Sequence, residues 1–174
     1  MCSSDLSAGR PYAAAALYQK ENQMSNRSAT HSTFVIERDY DAPAARVFGA
    51  WADKTAKDQW FGPSEGEHQL DFREGGREHL LADVHGAVYA YDALYEDIVP
   101  DERIVFTYNM HRDGKRMSVS VTTVELLASG RGTRLRYTEQ GVFLDGEDTP
   151  EAREQGTKEL LDKLGETLKQ GAAA

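Results

Sequence analysis

The sequence predicts an α+β fold in which a curved antiparallel sheet wraps around one long C-terminal helix, in the order β-α-α-β6-α. Three observations predict it. Six strand-like runs follow one another between residues 67 and 140 with only short turns between them. A single alternating run and two short helical segments come before them, and an amphipathic stretch from Pro150 to about Gln170 comes after. Consecutive strands joined by turns of hairpin length make an antiparallel meander. A sheet with one apolar face must cover that face, and the long helix is the element available to do so. A sheet wrapped around one helix does not fill its own concavity, so a cavity between the two is expected.

Each element has a local cause. Residues 1–32 carry no sustained period and are rich in Ser, Ala, Asn and Gln, which reads as a flexible tail. Met24 is read as the natural start, with residues 1–23 an upstream read-through whose opening "MCSSDL" resembles a translated sequencing adaptor. The domain is read as residues 33–170, with 171–174 a second tail. Thr33–Tyr40 alternates Phe34 and Ile36 against Val35 and Glu37, a strand pattern. Pro43 suits the opening of a helix in which Val47, Phe48 and Trp51 share a face. Asp53 caps a second short helix reaching Trp60, which "GP" at 62–63 stops. The strands are expected at 67–73, 77–85, 87–98, 102–111, 115–127 and 131–140, broken by Gly75-Gly76, Gly86, Pro100-Asp101, Asp113-Gly114 and Gly130/Gly132. Thr149 caps the last helix, Glu151 and Glu154 complement its dipole, and Leu160, Leu161, Leu164 and Leu168 form its apolar stripe.

Composition excludes several classes of function. The net charge of −9 argues against a nucleic-acid or anionic-membrane surface, because phosphate contacts need clustered Lys and Arg. No apolar run approaches the roughly 20 residues of a membrane span. The single cysteine, Cys2, excludes an intramolecular disulfide. His31, His68, His79, His85 and His111 form neither HxxxH nor HExxH, and no nucleotide-binding glycine motif is present. The expectation is a cytoplasmic monomer or homodimer with no metal and no cofactor.

"YDAPAARVFGAWAD" at 40–53, "WFGP" at 60–63, "LDFREGG" at 70–76, "YEDIVPDERIVFTY" at 95–108, "GTRLRYTEQ" at 132–140 and the closing amphipathic helix occur in an order that resembles a known family. It is the SRPBCC or START-like superfamily, with its Bet v 1-like helix-grip fold, and the branch is that of the activator of Hsp90 ATPase homologues. The resemblance covers about residues 33–170. It implies a ligand cavity between sheet and long helix but fixes no reaction, since relatives include cochaperone domains, lipid or polyketide binders and cyclases.

Alternation and the resemblance together assign faces. His68, Leu70 and Phe72 share one side, followed by Glu78, Leu80, Ala82 and Val84, then Tyr89, Tyr91, Ala93 and Tyr95. Ile104, Phe106, Tyr108 and Met110 come next, then Met117, Val119 and Val121, then Thr133, Leu135, Tyr137 and Glu139. Glu78 departs from the aromatic or aliphatic residue many relatives carry there. A buried carboxylate needs a partner, and His68 on the neighbouring strand supplies one. Such a pair could act as general acid and base. The alternatives are a solvated strand-end carboxylate or pairing with Arg73 or Arg77. Tyr89, Tyr91, Tyr95, Tyr108 and Tyr137 offer rings and hydroxyls suited to an amphipathic or aromatic ligand. Trp60, Leu80, Phe106, Val119 and Leu160 supply apolar wall. Glu139 is expected as a second acid at the mouth, and Gly156 leaves space on the inward stripe of the helix. Residues 141–149, "GVFLDGEDT", read as a lid or as a segment packing Phe143 on the final helix.

Three functions follow: a binding protein for a small hydrophobic or aromatic molecule, a cyclase- or hydrolase-like enzyme using Glu78 and His68, and a cochaperone module. Binding is the reading the residues favour.

Overall fold

A computed structural model describes residues 27–62 and 66–170. Residues 1–26, 63–65 and 171–174 lie outside the described residues, and with them Cys2, the Met24 start, the Pro63 stop and the C-terminal tail. Among the described residues the elements are β1 (Ala29–Tyr40), α1 (Ala44–Ala52), α2 (Lys54–Lys57), β2 (Glu67–Leu70), β3 (Arg77–Val84), β4 (Ala87–Val99), β5 (Arg103–Arg112), β6 (Lys115–Ser129), β7 (Gly132–Leu144) and α3 (Pro150–Gln170). The predicted order β-α-α-β6-α is the observed one. Among the described residues, no helix is long and apolar enough to cross a membrane.

All seven strands form one curved antiparallel sheet in the order β1-β7-β6-β5-β4-β3-β2. The meander accounts for β2 to β7, and β1 closes the far edge by pairing with β7 from Ala29↔Leu144 to Tyr40↔Thr133. That pairing corrects two boundaries. β1 begins at Ala29, ahead of the expected Thr33, and β7 runs on to Leu144. The apolar half of the expected lid is therefore strand: Val142 and Phe143 pair with His31 and Thr30, and Phe143 is buried. Only the turn from Asp145 to Thr149 remains outside regular structure.

Helix α3 lies across the concave face with Leu161, Leu164 and Leu168 buried. Thr149 Oγ1 accepts from Ala152 N at 3.1 Å, the expected cap. The Tyr40 hydroxyl donates to the Leu161 carbonyl at 2.8 Å, fixing α3 against the end of β1. A side chain at Gly165 would bring its Cβ within 3.1 Å of Tyr40 Cε1, so the glycine lets helix and ring approach. Helix α2 begins where Asp53 Oδ1 accepts from Ala56 N at 2.8 Å.

One face assignment is wrong, and the reason is a bulge. The β5–β6 register runs Met110↔Ser118 and then His111↔Arg116, which leaves Met117 as an extra residue. Parity slips by one beyond it. Ser118, Ser120, Thr122 and Val124 point inward and are buried, whereas Val119 lies on the outer face, 36 % exposed.

The core rests on α3 as much as on the sheet. Leu164 is fully buried. Leu164→Ala is expected to lower the unfolding free energy by about 2–5 kcal/mol, read as a fall in the urea midpoint with an unchanged slope.

Candidate functional site

Between α3 and the concave face lies a cavity of about 630 Å³. Its floor and walls come from Leu80, Tyr91, Phe106, Tyr108 and Tyr137 on the sheet, Trp51, Trp60 and Phe61 from the helical insertion, and Gly156, Thr157, Leu160 and Leu161 from α3. Val84, Arg112 and Glu147 line its more exposed end. The sheet supplies tyrosines and a phenylalanine because β4 and β5 present alternate residues to the same side. A Cβ built on Gly156 meets nothing within 4 Å, so the space beside this helical glycine is open.

Two buried polar clusters stand behind the aromatic walls. The first answers the question Glu78 raises. Its carboxylate is enclosed and accepts from Lys57 Nζ at 2.7 Å and the Tyr95 hydroxyl at 2.6 Å on Oε2, with His68 Nε2 at 2.8 Å from Oε1. The other ring nitrogen of His68 meets the half-exposed Asp58. Lys57 Nζ also lies 4.6 Å from the Phe61 ring centroid and 5.2 Å from that of Trp51. Burial pushes the Glu78 carboxyl up, but the Lys57 charge and the bonds from His68, Lys57 and Tyr95 outweigh it and hold it below the usual range. Burial pulls Lys57 down. The bond to Glu78 raises His68 against the opposing effect of burial, with Asp58 adding to the rise.

The second cluster surrounds Glu139. Oε1 accepts from the Tyr108 hydroxyl at 2.6 Å and Ser120 Oγ at 2.8 Å, and Oε2 accepts from the Tyr137 hydroxyl at 3.1 Å. Arg153, from the first turns of α3, donates to the Tyr108 oxygen at 2.7 Å, to Ser118 Oγ at 2.9 Å and to Asp148 Oδ2 at 2.6 Å. Burial works against the Arg153 charge, but Tyr108, Glu139 and Asp148 raise its pKa further than burial lowers it.

Of the residues singled out in the sequence, Trp60, Leu80, Tyr89, Tyr91, Phe106, Tyr108, Tyr137, Gly156 and Leu160 line the cavity. Tyr95 does not; its hydroxyl is spent on Glu78. Glu139 is sealed behind the tyrosines and not at the mouth. Val119 faces the other side of the sheet. Glu78 and His68 meet as expected, yet neither lines the cavity, and Glu78 pairs with neither Arg73 nor Arg77 nor solvent. Lys57 and Arg153 were missed. A lysine between Trp51 and Trp60 was one available signal. The other was that Arg153 continues the stripe of Thr157, Leu161, Leu164 and Leu168 by one turn.

A sheet gripping one helix around a mainly apolar cavity defines a helix-grip domain. The chain belongs to the family of Activator of Hsp90 ATPase homolog 1-like proteins, whose model matches residues 41–169. Among solved structures it is similar to an uncharacterized protein from Rhizobium leguminosarum, with 48% identity, a TM-score of 0.79, and 83% of this chain and 98% of that one covered. The Mll3558 protein from Rhizobium loti is likewise 48% identical, with a TM-score of 0.77 and coverage of 80% and 99%. Protein CV1439 from Chromobacterium violaceum is 26% identical, with a TM-score of 0.67 and coverage of 78% and 96%. No match was found among curated protein sequences.

Removing one member of a buried ion pair strands the other. Glu78→Ala is expected to destabilise by about 3–5 kcal/mol, and Lys57→Met with Glu78→Leu to recover most of that loss, measured by urea unfolding. The pH dependence has a defined sign. The lowered Glu78 pKa gives stability that is present above the ordinary 4.5 and is lost as pH falls through its folded value. The raised His68 pKa gives stability that is complete below the ordinary 6.5 and is lost as pH rises through its folded value. His68→Gln should abolish the loss above 6.5, seen by comparing unfolding curves of both proteins across pH.

Proposed function

We propose that the protein binds a small, mainly apolar or aromatic molecule inside the cavity between sheet and α3. The observation that carries this reading is the cavity itself. Its volume of about 630 Å³ lies inside the range typical of small-molecule sites, and its walls are mainly aromatic, with a few hydroxyls and with Arg112, Arg153, Glu147 and Asp148 toward one end. A space of this size costs stability when empty, because its lining loses packing partners. The ionic groups nearby point into one another, which leaves the inner walls mainly apolar.

Binding is supported over acid/base catalysis by the position of Glu78. A general acid or base must come within hydrogen-bond reach of the reacting atom, and this carboxylate is occupied by three partners behind the wall. The partner in this reading is a small molecule.

Gly156 allows a test that separates binding from folding. Gly156→Leu fills open space and replaces a helical glycine with a better helix former, worth up to about 1 kcal/mol. The variant is expected to melt at or above the temperature of the parent chain. It should also lose the thermal stabilisation that hydrophobic aromatic probes such as benzophenone give the parent. A variant that binds those probes undiminished places binding outside the cavity and contradicts the reading.

A further inference from the structure

We propose that Tyr91 is the recognition group of the cavity, and that the molecule it selects is neutral and presents a hydrogen-bond acceptor, such as an aryl ketone, to the Tyr91 hydroxyl. The inference rests on the binding function proposed above and narrows its ligand class.

The argument starts from hydrogen-bond accounting. Buried hydroxyls have partners in folded proteins, and one that does not calls for a reason. Three of the inward tyrosines are accounted for: Tyr95 on Glu78, Tyr108 on Glu139 and Tyr137 on Glu139. Tyr91 is 8 % exposed, and its hydroxyl makes no hydrogen bond to a described residue. Among the described residues, Trp51 Nε1 is the one side-chain polar atom that is both sealed and unpartnered. The Tyr91 hydroxyl is therefore not sealed; it opens on the cavity that Tyr91 lines.

The ring is held in place. It meets Phe61 edge-on at 5.1 Å between centroids and lies 5.1 Å from Tyr108, so the hydroxyl is presented by a packed wall. Its surroundings set the charge of the partner. Burial raises the phenol well above its ordinary value, and Glu78, Tyr95, Tyr137 and Tyr108 all push the same way. Tyr91 therefore stays a donor, and a negative charge beside it is disfavoured. Of the two guanidiniums on the wall, Arg153 is already matched by Tyr108, Ser118, Glu139 and Asp148, and Arg112, at the exposed end, by Glu147 at 2.8 Å. A carboxylate entering the cavity finds both cations already paired, whereas a carbonyl oxygen finds the buried Tyr91 hydroxyl on the inner wall, with the half-buried Tyr89 beside Arg112 nearer the exposed end.

The test is calorimetric titration of the full chain and of Tyr91→Phe with three probes. These are benzophenone, the hydrocarbon in which a methylene replaces its carbonyl oxygen, and diphenylacetate. Benzophenone is expected to bind the parent chain about tenfold tighter than its hydrocarbon isostere, with diphenylacetate weakest. Tyr91→Phe should bring ketone and hydrocarbon to within about twofold of each other. It should melt with the parent, because the lost hydroxyl holds no protein group. Equal binding of ketone and hydrocarbon by the parent, or a preference that survives Tyr91→Phe, overturns the assignment of Tyr91 and leaves the cavity as a binding site. Tightest binding of diphenylacetate overturns the neutral class. Loss of melting temperature in Tyr91→Phe shows a protein partner for the hydroxyl and overturns the argument. No binding of any probe to the parent overturns the cavity reading itself.

Discussion

The ion pair between Lys57 and Glu78 is the constraint on which the site depends. Two enclosed charges in an apolar interior are tolerated only when each meets the other and their remaining hydrogen-bonding capacity is filled. Glu78 takes Lys57, Tyr95 and His68, and His68 passes the connection on to Asp58 at the surface. Four elements or their flanks are thereby tied together: α2, β2, β3 and β4. The ammonium also sits over the rings of Phe61 and Trp51, which form part of the cavity wall. The wall keeps its position because a charged group that cannot leave its partner lies directly behind it.

The same arrangement recurs around Glu139. Tyr108, Tyr137, Ser120 and Arg153 satisfy that carboxylate from the sheet and from α3. Arg153 continues to Asp148 in the turn between β7 and α3. Each cluster consumes its own polarity. What remains on the inner cavity surface is mainly aromatic and aliphatic, with the buried Tyr91 hydroxyl as a donor not taken up by a described residue. Gly156 borders the same space from the helix side, where a Cβ would meet nothing within 4 Å.

Much of the fold was legible because its signals are local. The turn pairs Gly75-Gly76 and Asp113-Gly114, the Asp53 and Thr149 caps and the leucine stripe of α3 each follow from short-range chemistry. The tyrosines of β4 and β5 were placed correctly because strand alternation held there. It failed in β6, where "MSVSVTTV" offers Met117, Val119 and Val121 as the apolar set. The bulge at Met117 turns Ser118, Ser120 and Thr122 inward instead, and they are wanted there by Arg153, Glu139 and the Tyr137 hydroxyl. A hydrophobic pattern cannot announce an interior that is itself polar. Lys57 escaped notice for the same reason, since its partner lies 21 residues away and only the fold brings the two together. The pairing of His68 with Glu78 was legible because both sit on one hairpin. That Glu78 is closed off from the cavity was not, because the closure is made by α2.

The central claim is that the cavity, with its mainly apolar walls and the free Tyr91 hydroxyl, is the place where the protein meets its ligand. Crystals grown with para-bromobenzophenone test it most directly, since bromine can be located by its anomalous scattering without assuming a pose. The account predicts a single bromine site inside the cavity, with the ketone oxygen within hydrogen-bond distance of the Tyr91 hydroxyl. Bromine confined to the outer face of the sheet, with the space beside Gly156 empty, would contradict it.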